Sequence, residues 1–273
     1  MSATAMSQGH HVLTSLQWVL GAVRRGQPCF AFYIWARAVL EALPMLLIVE
    51  NVPRFPVDLL RSIFGDAYEL HWIVFDAVVM GSPGRRKRLY VVLTLRGKLR
   101  LDRPLCELHD VLATTFPERR SWDILFCIAG ADDGLSASVQ RRAKEYLRVF
   151  KDPTSIYDLD QMPRTRPRRA RPGAPLFGLT AHTRFCWSHD FKRCLRRGEL
   201  AASMGISSHP ALACAYGVQP ISFDAVKRST AGRLIGNGMA VPCVGAIMAW
   251  CSAYCTADLG RVPFCVSVPS ACL

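Results

Sequence analysis

The chain has 273 residues, 34 of them Lys or Arg and 21 Asp or Glu, for a formal net charge of +13 and a sequence pI near 9.5. With 51% hydrophobic and 20% charged residues it is neither a disordered tail nor an acidic protein, and it is long enough to bury a full core. Glycine (19) and proline (17) follow no period, which excludes collagen-like and low-complexity classes, while the basic surplus suits nucleic acid, an anionic membrane surface or an anionic substrate.

The apolar stretch from Val12 to Val23 contains Gln17 and follows two histidines rather than lysines, so it does not read as a secretory signal. The eleven cysteines are scattered from Cys29 to Cys272, which fits a reduced intracellular chain better than a disulfide framework. Residues 30–43 carry large apolar side chains at helical spacing, with Arg37 and Glu41 on the remaining face, and predict a helix ended by Pro44. Met45 to Val49 is an unbroken apolar run closing on Glu50 and Asn51, the pattern of a strand buried on both faces in a parallel sheet. Ligands of such sheets lie beyond the carboxyl ends of the strands, which puts Glu50 and Asn51 where chemistry is expected. A second helix over Pro56 to Phe64 and two strands, His71 to Val79 and Leu89 to Leu95, follow. The basic turn Gly81 to Arg88 joins the strands.

Beyond Arg96 the pattern loosens. Residues 97–175 offer one helix, Leu135 to Phe150, and the basic, proline-punctuated stretch Arg164 to Pro172 predicts neither helix nor strand, so this region reads as an insertion. The arginines at 164, 166, 168, 169 and 171 suit phosphate contacts, a nuclear address or a solvated linker. A helix at Gly198 to Met204, a loop from His209 to Ala215 and a final helix opening near Pro242 complete the chain. The uncharged run between Arg233 and Asp258 is long enough to span a bilayer, but Asn237, Pro242, Ser252 and several glycines favour a buried turn and helix, and no membrane is expected as partner.

Four segments in one order resemble the cytosine-5 DNA methyltransferases. LLIVENVPRF (Leu46 to Phe55) is similar to the family's Glu-Asn-Val motif, and SPGRRKRLYVV (Ser82 to Val92) to its Gln-x-Arg-x-Arg motif with the strand that follows. RCLRRGELAASMGI (Arg193 to Ile206) matches a third segment at Arg193, Leu195, Glu199, Met204 and Gly205, and LIGNGMAVPCVGAI (Leu234 to Ile247) resembles the Gly-Asn motif that opens the returning helix. Each alone is weak; four in order around a long insert are specific.

The resemblance implies an α/β fold with a Rossmann-like, S-adenosylmethionine-dependent methyltransferase sheet, incomplete at its N-terminal side, and an inserted target-recognition domain. Its divisions fall at 1–96 and 197–257 for the catalytic domain, 97–196 for recognition and 258–273 for a tail. It implies a methyl group transferred from S-adenosylmethionine to C5 of a cytosine flipped out of DNA, after a cysteine thiolate has attacked C6. By motif position Glu50 would hydrogen-bond N3 and the exocyclic amine of the base. Arg88, with Arg86 beside it, would support its polarisation as catalytic residues. Gly236, Asn237 and Gly238 would close one side of the cofactor pocket. A nuclear or other DNA-containing compartment follows from the substrate.

Two of the family's motifs have no counterpart: the glycine-rich cofactor turn and the Pro-Cys-Gln nucleophile loop. Pro28-Cys29 runs straight into the predicted helix, and Pro242-Cys243 lies inside the Gly-Asn segment. On this reading the first strands of the sheet are missing, the strand ending at Glu50 has a bare edge, and a second polypeptide is a possible partner completing the domain. A relative that binds nucleic acid without turnover, and one acting on RNA, stay open. Gly84 stands where the second motif has glutamine, and Arg196 where the third has threonine. His182, Cys186, His189 and Cys194 are spaced like a compact zinc site, but the family carries a similar stretch without metal, and none is assigned.

Overall fold

The structure, a computed structural model, describes residues 12–15, 30–116, 120–126, 135–208, 210–215, 217–223 and 225–258. Its larger sheet has four strands, β1 (Val12–Ser15), β2 (Leu46–Asn51), β3 (Tyr68–Phe75) and β4 (Arg88–Leu95), in the order β1-β2-β4-β3. Helix α1 (Phe30–Ala42) precedes β2, and α2 (Val57–Phe64) links β2 to β3.

Only β1 runs parallel to β2; β4 is antiparallel to both β2 and β3. The all-parallel environment expected for β2 is therefore corrected. The cause is the connection: a helical crossover sets β3 parallel to β2, whereas the short link after β3 reverses the chain and slots β4 between them. That link begins with a 3-10 turn at Ala77–Met80, so β3 ends earlier than its apolar run suggests. The bare edge expected at β2 is also corrected, because the start of the N-terminal apolar stretch forms β1 and pairs Ser15 with Glu50.

Alternation along the strands builds two cores. Leu47, Val49, Leu89, Val91 and Leu93 face α1 and α2, meeting Phe32, Ala36, Val39, Leu60 and Phe64. Ile48, Tyr90 and Val92 face the other way, into a core continuing through Leu108, Trp122, Ile156, Leu176, Leu195 and Ile247. Each such fully buried aliphatic side chain contributes about 1.5–3 kcal/mol. The inserted region and the large sheet thus share one apolar interior.

The rest of the chain holds β5 (Leu99–Leu101), α3 (Glu107–Thr115), α4 (Ala137–Phe150), β6 (Ile156–Asp158), β7 (Arg169–Ala170), β8 (Cys186–Ser188) and β9 (Arg193–Cys194). Strands β6 to β9 make a small antiparallel sheet, order β7-β6-β8-β9. The stretch read as free of regular structure supplies β7: Arg168 and Arg169 are drawn in by Asp158 (3.2 Å) and Asp152 (3.5 Å).

Helices α5 (Arg197–Ala202), α6 (Pro210–Ala215), α7 (Arg228–Asn237) and α8 (Val241–Tyr254) lead to β10 (Cys255–Ala257), which pairs with β5. The loop expected over His209 to Ala215 is largely α6, and α7 was not anticipated. Residues 228–254 are long and apolar enough to cross a membrane by length and composition, with an 18-residue stretch of mean hydropathy 1.6. They form two helices broken after Asn237, whose Ala231, Ile235, Cys243, Ile247 and Trp250 enter the shared core.

Candidate functional site

Glu50 is the penultimate residue of β2 and is fully buried. Asn51 follows it, equally buried, and its Oδ1 accepts the Val52 amide at 2.8 Å, turning the chain out of the strand. Because β4 runs antiparallel with Tyr90 opposite Glu50, its first residue, Arg88, arrives beside the end of β2. Arg88 Nε lies 3.0 Å from Glu50 Oε1. A carboxylate and a guanidinium from adjacent strand ends are thus held together by backbone register.

Arg86 goes elsewhere. Its side chain is buried, its amide donates to Asp76 Oδ1 at 2.7 Å, and its guanidinium donates to the carbonyls of Leu179 (3.3 Å), Gly236 (2.9 Å) and Gly238. Burial, then the neighbouring Arg88 charge, lowers its pKa from the usual arginine value to about 10. The base-facing place expected for Arg86 is corrected: three carbonyls need a donor in a site closed to water, and its planar fork meets that need. Arg85 is exposed, and its amide donates to Leu176 O at 2.9 Å.

The Gly-Asn segment is correspondingly committed to the protein. A Cβ on Gly236 would stand 2.1 Å from Thr180 O, so glycine here lets α7 pack directly on the loop at residues 180–183. The carbonyls of Gly236 and Gly238 are the acceptors of Arg86. The close backbone approach expected toward a cofactor is made toward the protein itself, which corrects the role given to these two glycines. Asn237 ends α7 between them, partly buried.

The remaining motif residues are structural. Glu199 is fully buried and takes both Arg193 guanidinium nitrogens at 2.7 Å each, while also accepting the Arg196 amide. Leu195 and Met204 enter the shared core. Gly205 has φ +73° and would press a Cβ within 2.4 Å of the Pro242 ring. The departure at Gly84 also has a cause, since a Cβ there would meet Ser203 O at 2.7 Å. A cavity of about 650 Å³ opens beside this loop, lined by Ser82, Pro83, Gly205 and Pro242 among others, and neither Glu50 nor Arg88 lines it.

The cysteine of Pro242-Cys243, set aside as a nucleophile on sequence grounds, lies near the pair. Cys243, in the first turn of α8, is fully buried and feels the charges of Asp76, Glu50 and Arg86. Burial pushes its thiol up to about 12, so it is protonated near neutrality and no nucleophile. Nothing local in the sequence marks this placement; it comes from α8 packing back onto β4. Cys29 lies outside the described residues. Cys186 and Cys194 are buried in β8 and β9, His189 stands edge-on to Trp187 and Tyr157, and His182 is exposed. Among the described residues no three His, Cys, Asp or Glu are grouped to hold a metal ion.

No protein-family model and no curated protein sequence matches the chain. Among solved structures, the S. pombe Dnmt2 methyltransferase is similar over 77% of this chain and 67% of its own, with a TM-score of 0.51 and 14% identity. The Entamoeba histolytica methyltransferase EhMeth matches 76% of this chain and 62% of its own, with a TM-score of 0.46 and 14% identity. The chain spans about two thirds of the length of these proteins, and its α/β fold is similar to that of the Dnmt2 methyltransferase.

Proposed function

We propose that this chain carries the base-contacting part of a DNA (cytosine-5)-methyltransferase that uses S-adenosylmethionine as donor. The observation that carries the reading is the ion pair of fully buried Glu50 with Arg88, 3.0 Å apart at the carboxyl end of β2, in a fold similar to a methyltransferase. On a flipped cytosine, Glu50 would hold N3 and the exocyclic amine, and Arg88 would offset charge developing on the ring. Both groups act with little reorganisation because strand register holds them. Gly236 and Gly238 do not fit as a cradle for the donor, their backbone being occupied by Arg86 and Thr180, so no step is assigned to them.

The test is transfer of labelled methyl from S-adenosylmethionine to duplex DNA by purified chain whose fold is checked by circular dichroism. Glu50→Gln and Arg88→Ala are expected to lower the rate by about 10²–10³. Folded wild-type chain that transfers nothing would overturn the enzymatic reading.

A second reading, a relative that binds nucleic acid without turnover, is supported by the lack of a Pro-Cys-Gln motif in this sequence. It predicts salt-sensitive DNA binding with no covalent adduct on a mechanism-based cytosine analogue, and a trapped adduct would exclude it. Competition between labelled duplex DNA and transfer RNA separates the two polymers.

A further inference from the structure

Helix α4 turns Ala143 and Tyr146 inward, against Tyr157 and Leu159. Its opposite face carries Arg141, Lys144 and Arg148, and Lys151 caps its end, all four exposed. Offsets of three, four and three residues put them in one row, roughly 15 Å long at 1.5 Å per residue. Among the described residues none of the four is in an ion pair. The nearby acids are engaged: Glu145 faces Arg164 at 3.6 Å, and Asp152 accepts from Ser155 and Thr154 and faces Arg169. Arg166, also exposed, lies on the loop that the Arg164–Glu145 pair holds beside the helix.

We propose that this row is a docking surface for the phosphate backbone of duplex DNA. The inference rests on the nucleic-acid reading above and assigns it a surface. A rigid row of four cations spans the major groove, about 12 Å wide, so its two ends reach phosphates of both strands. A flexible single strand gains nothing from that rigidity. A membrane-surface helix needs a broad apolar face for the bilayer, and the apolar face of α4 is taken up by Tyr157 and Leu159.

The experiment measures binding of the full chain to a short fluorescein-labelled DNA duplex by anisotropy across a salt series. It compares wild type with the triple variant Arg141→Gln, Lys144→Gln, Arg148→Gln. Losing three phosphate contacts should make the slope of log K against log salt shallower by about 3. A charge-matched control, Arg37→Gln, Arg61→Gln, Arg100→Gln, removes arginines held in surface ion pairs and should keep the wild-type slope.

An unchanged slope in the α4 variant, or an equal change in the control, overturns the surface. Oligo-dT of the same length binding as tightly as duplex overturns the duplex assignment, as does equal binding to phosphatidylserine vesicles. The readout is independent of turnover. A chain that transfers no methyl but shows the slope change keeps the surface and loses the enzymatic reading, and methyl transfer with an unchanged slope does the reverse.

Discussion

Strands β2 and β4 bury Leu47, Val49, Leu89, Val91 and Leu93 toward one core and Ile48, Tyr90 and Val92 toward the other, whereas the short strands β6 to β9 are tied together around Asp158, Asp160 and Asp152. Asp158 is fully buried, faces Arg168 at 3.2 Å, accepts from Thr183 Oγ1 at 3.3 Å and takes the Asp160 amide at 3.1 Å. Asp160 in turn accepts from the Arg184 side chain and from the amides of Arg184 and Phe185. The large sheet draws its stability from apolar area, which is indifferent to pH. The small one also buries Ile156, Tyr157, Cys186 and Cys194, but with few ladder bonds it relies as well on partnered polar groups, whose loss leaves buried donors and acceptors unmet.

Arg86 joins the two regions, and its removal is the largest effect expected. Arg86→Ala withdraws one charged donor from three carbonyls of the insert and the Gly-Asn segment, which costs on the order of 4 kcal/mol. Urea unfolding followed by circular dichroism measures it. Arg86→Lys should recover little, because a point-charge ammonium cannot reach acceptors spread over a planar fork. A mild Arg86→Ala would mean that the shared apolar core alone holds the regions together, and the division drawn above would weaken.

Asp158 supplies a sharper test. Burial, opposed by Arg168, raises its carboxyl from 3.8 to about 6. The folded chain therefore binds this proton more tightly than the unfolded one, so the contribution of Asp158 to stability falls as pH rises from about 4 to about 6 and is flat above. At about 1.4 kcal/mol per unit this amounts to about 3 kcal/mol. Asp158→Asn removes the titration, so the stability difference between wild type and variant should move by that amount across the window. Asp152 and Asp102 shift the other way and are present in both proteins, so they cancel in the difference. A difference that does not move with pH would mean that Arg168 and the hydrogen bonds to Asp158 fully offset its burial.

The same contrast decides what was legible in the sequence. Helices α1 and α2 and strands β2 to β4 were readable because long apolar runs with helical or strand spacing report burial directly. Strands β6 to β9 were not, since strands of two or three residues carry no periodicity and are chosen by partners such as Asp158 and Arg168, distant in sequence from much of what they bind. Helix α7 was hidden by Ser229, Thr230, Gly232 and Gly236, poor helix formers that suit its tight approach to the loop at Thr180. At the candidate site, motif positions placed Glu50 and Arg88 together. They could not separate Arg88 from Arg86, because a run of basic residues looks equally solvated at every position, and only the three carbonyls converging on Arg86 distinguish it.

The smallest effect probes the small sheet without touching a charge. The Tyr146 hydroxyl donates to the carbonyls of Asp158 at 3.0 Å and Gln161 at 3.2 Å, while its ring packs against Phe150 and Tyr157. Tyr146→Phe keeps the ring and deletes the donor, at a cost of about 1 kcal/mol. Burial pushes the phenol up to about 12, so it stays protonated from acid to neutral pH and the loss should be the same at pH 5 and pH 7. Thermal unfolding at both values measures this. A loss that grows toward neutrality would couple the hydroxyl to the Asp158 titration, and the carboxylate and its neighbouring carbonyls would then act as one unit.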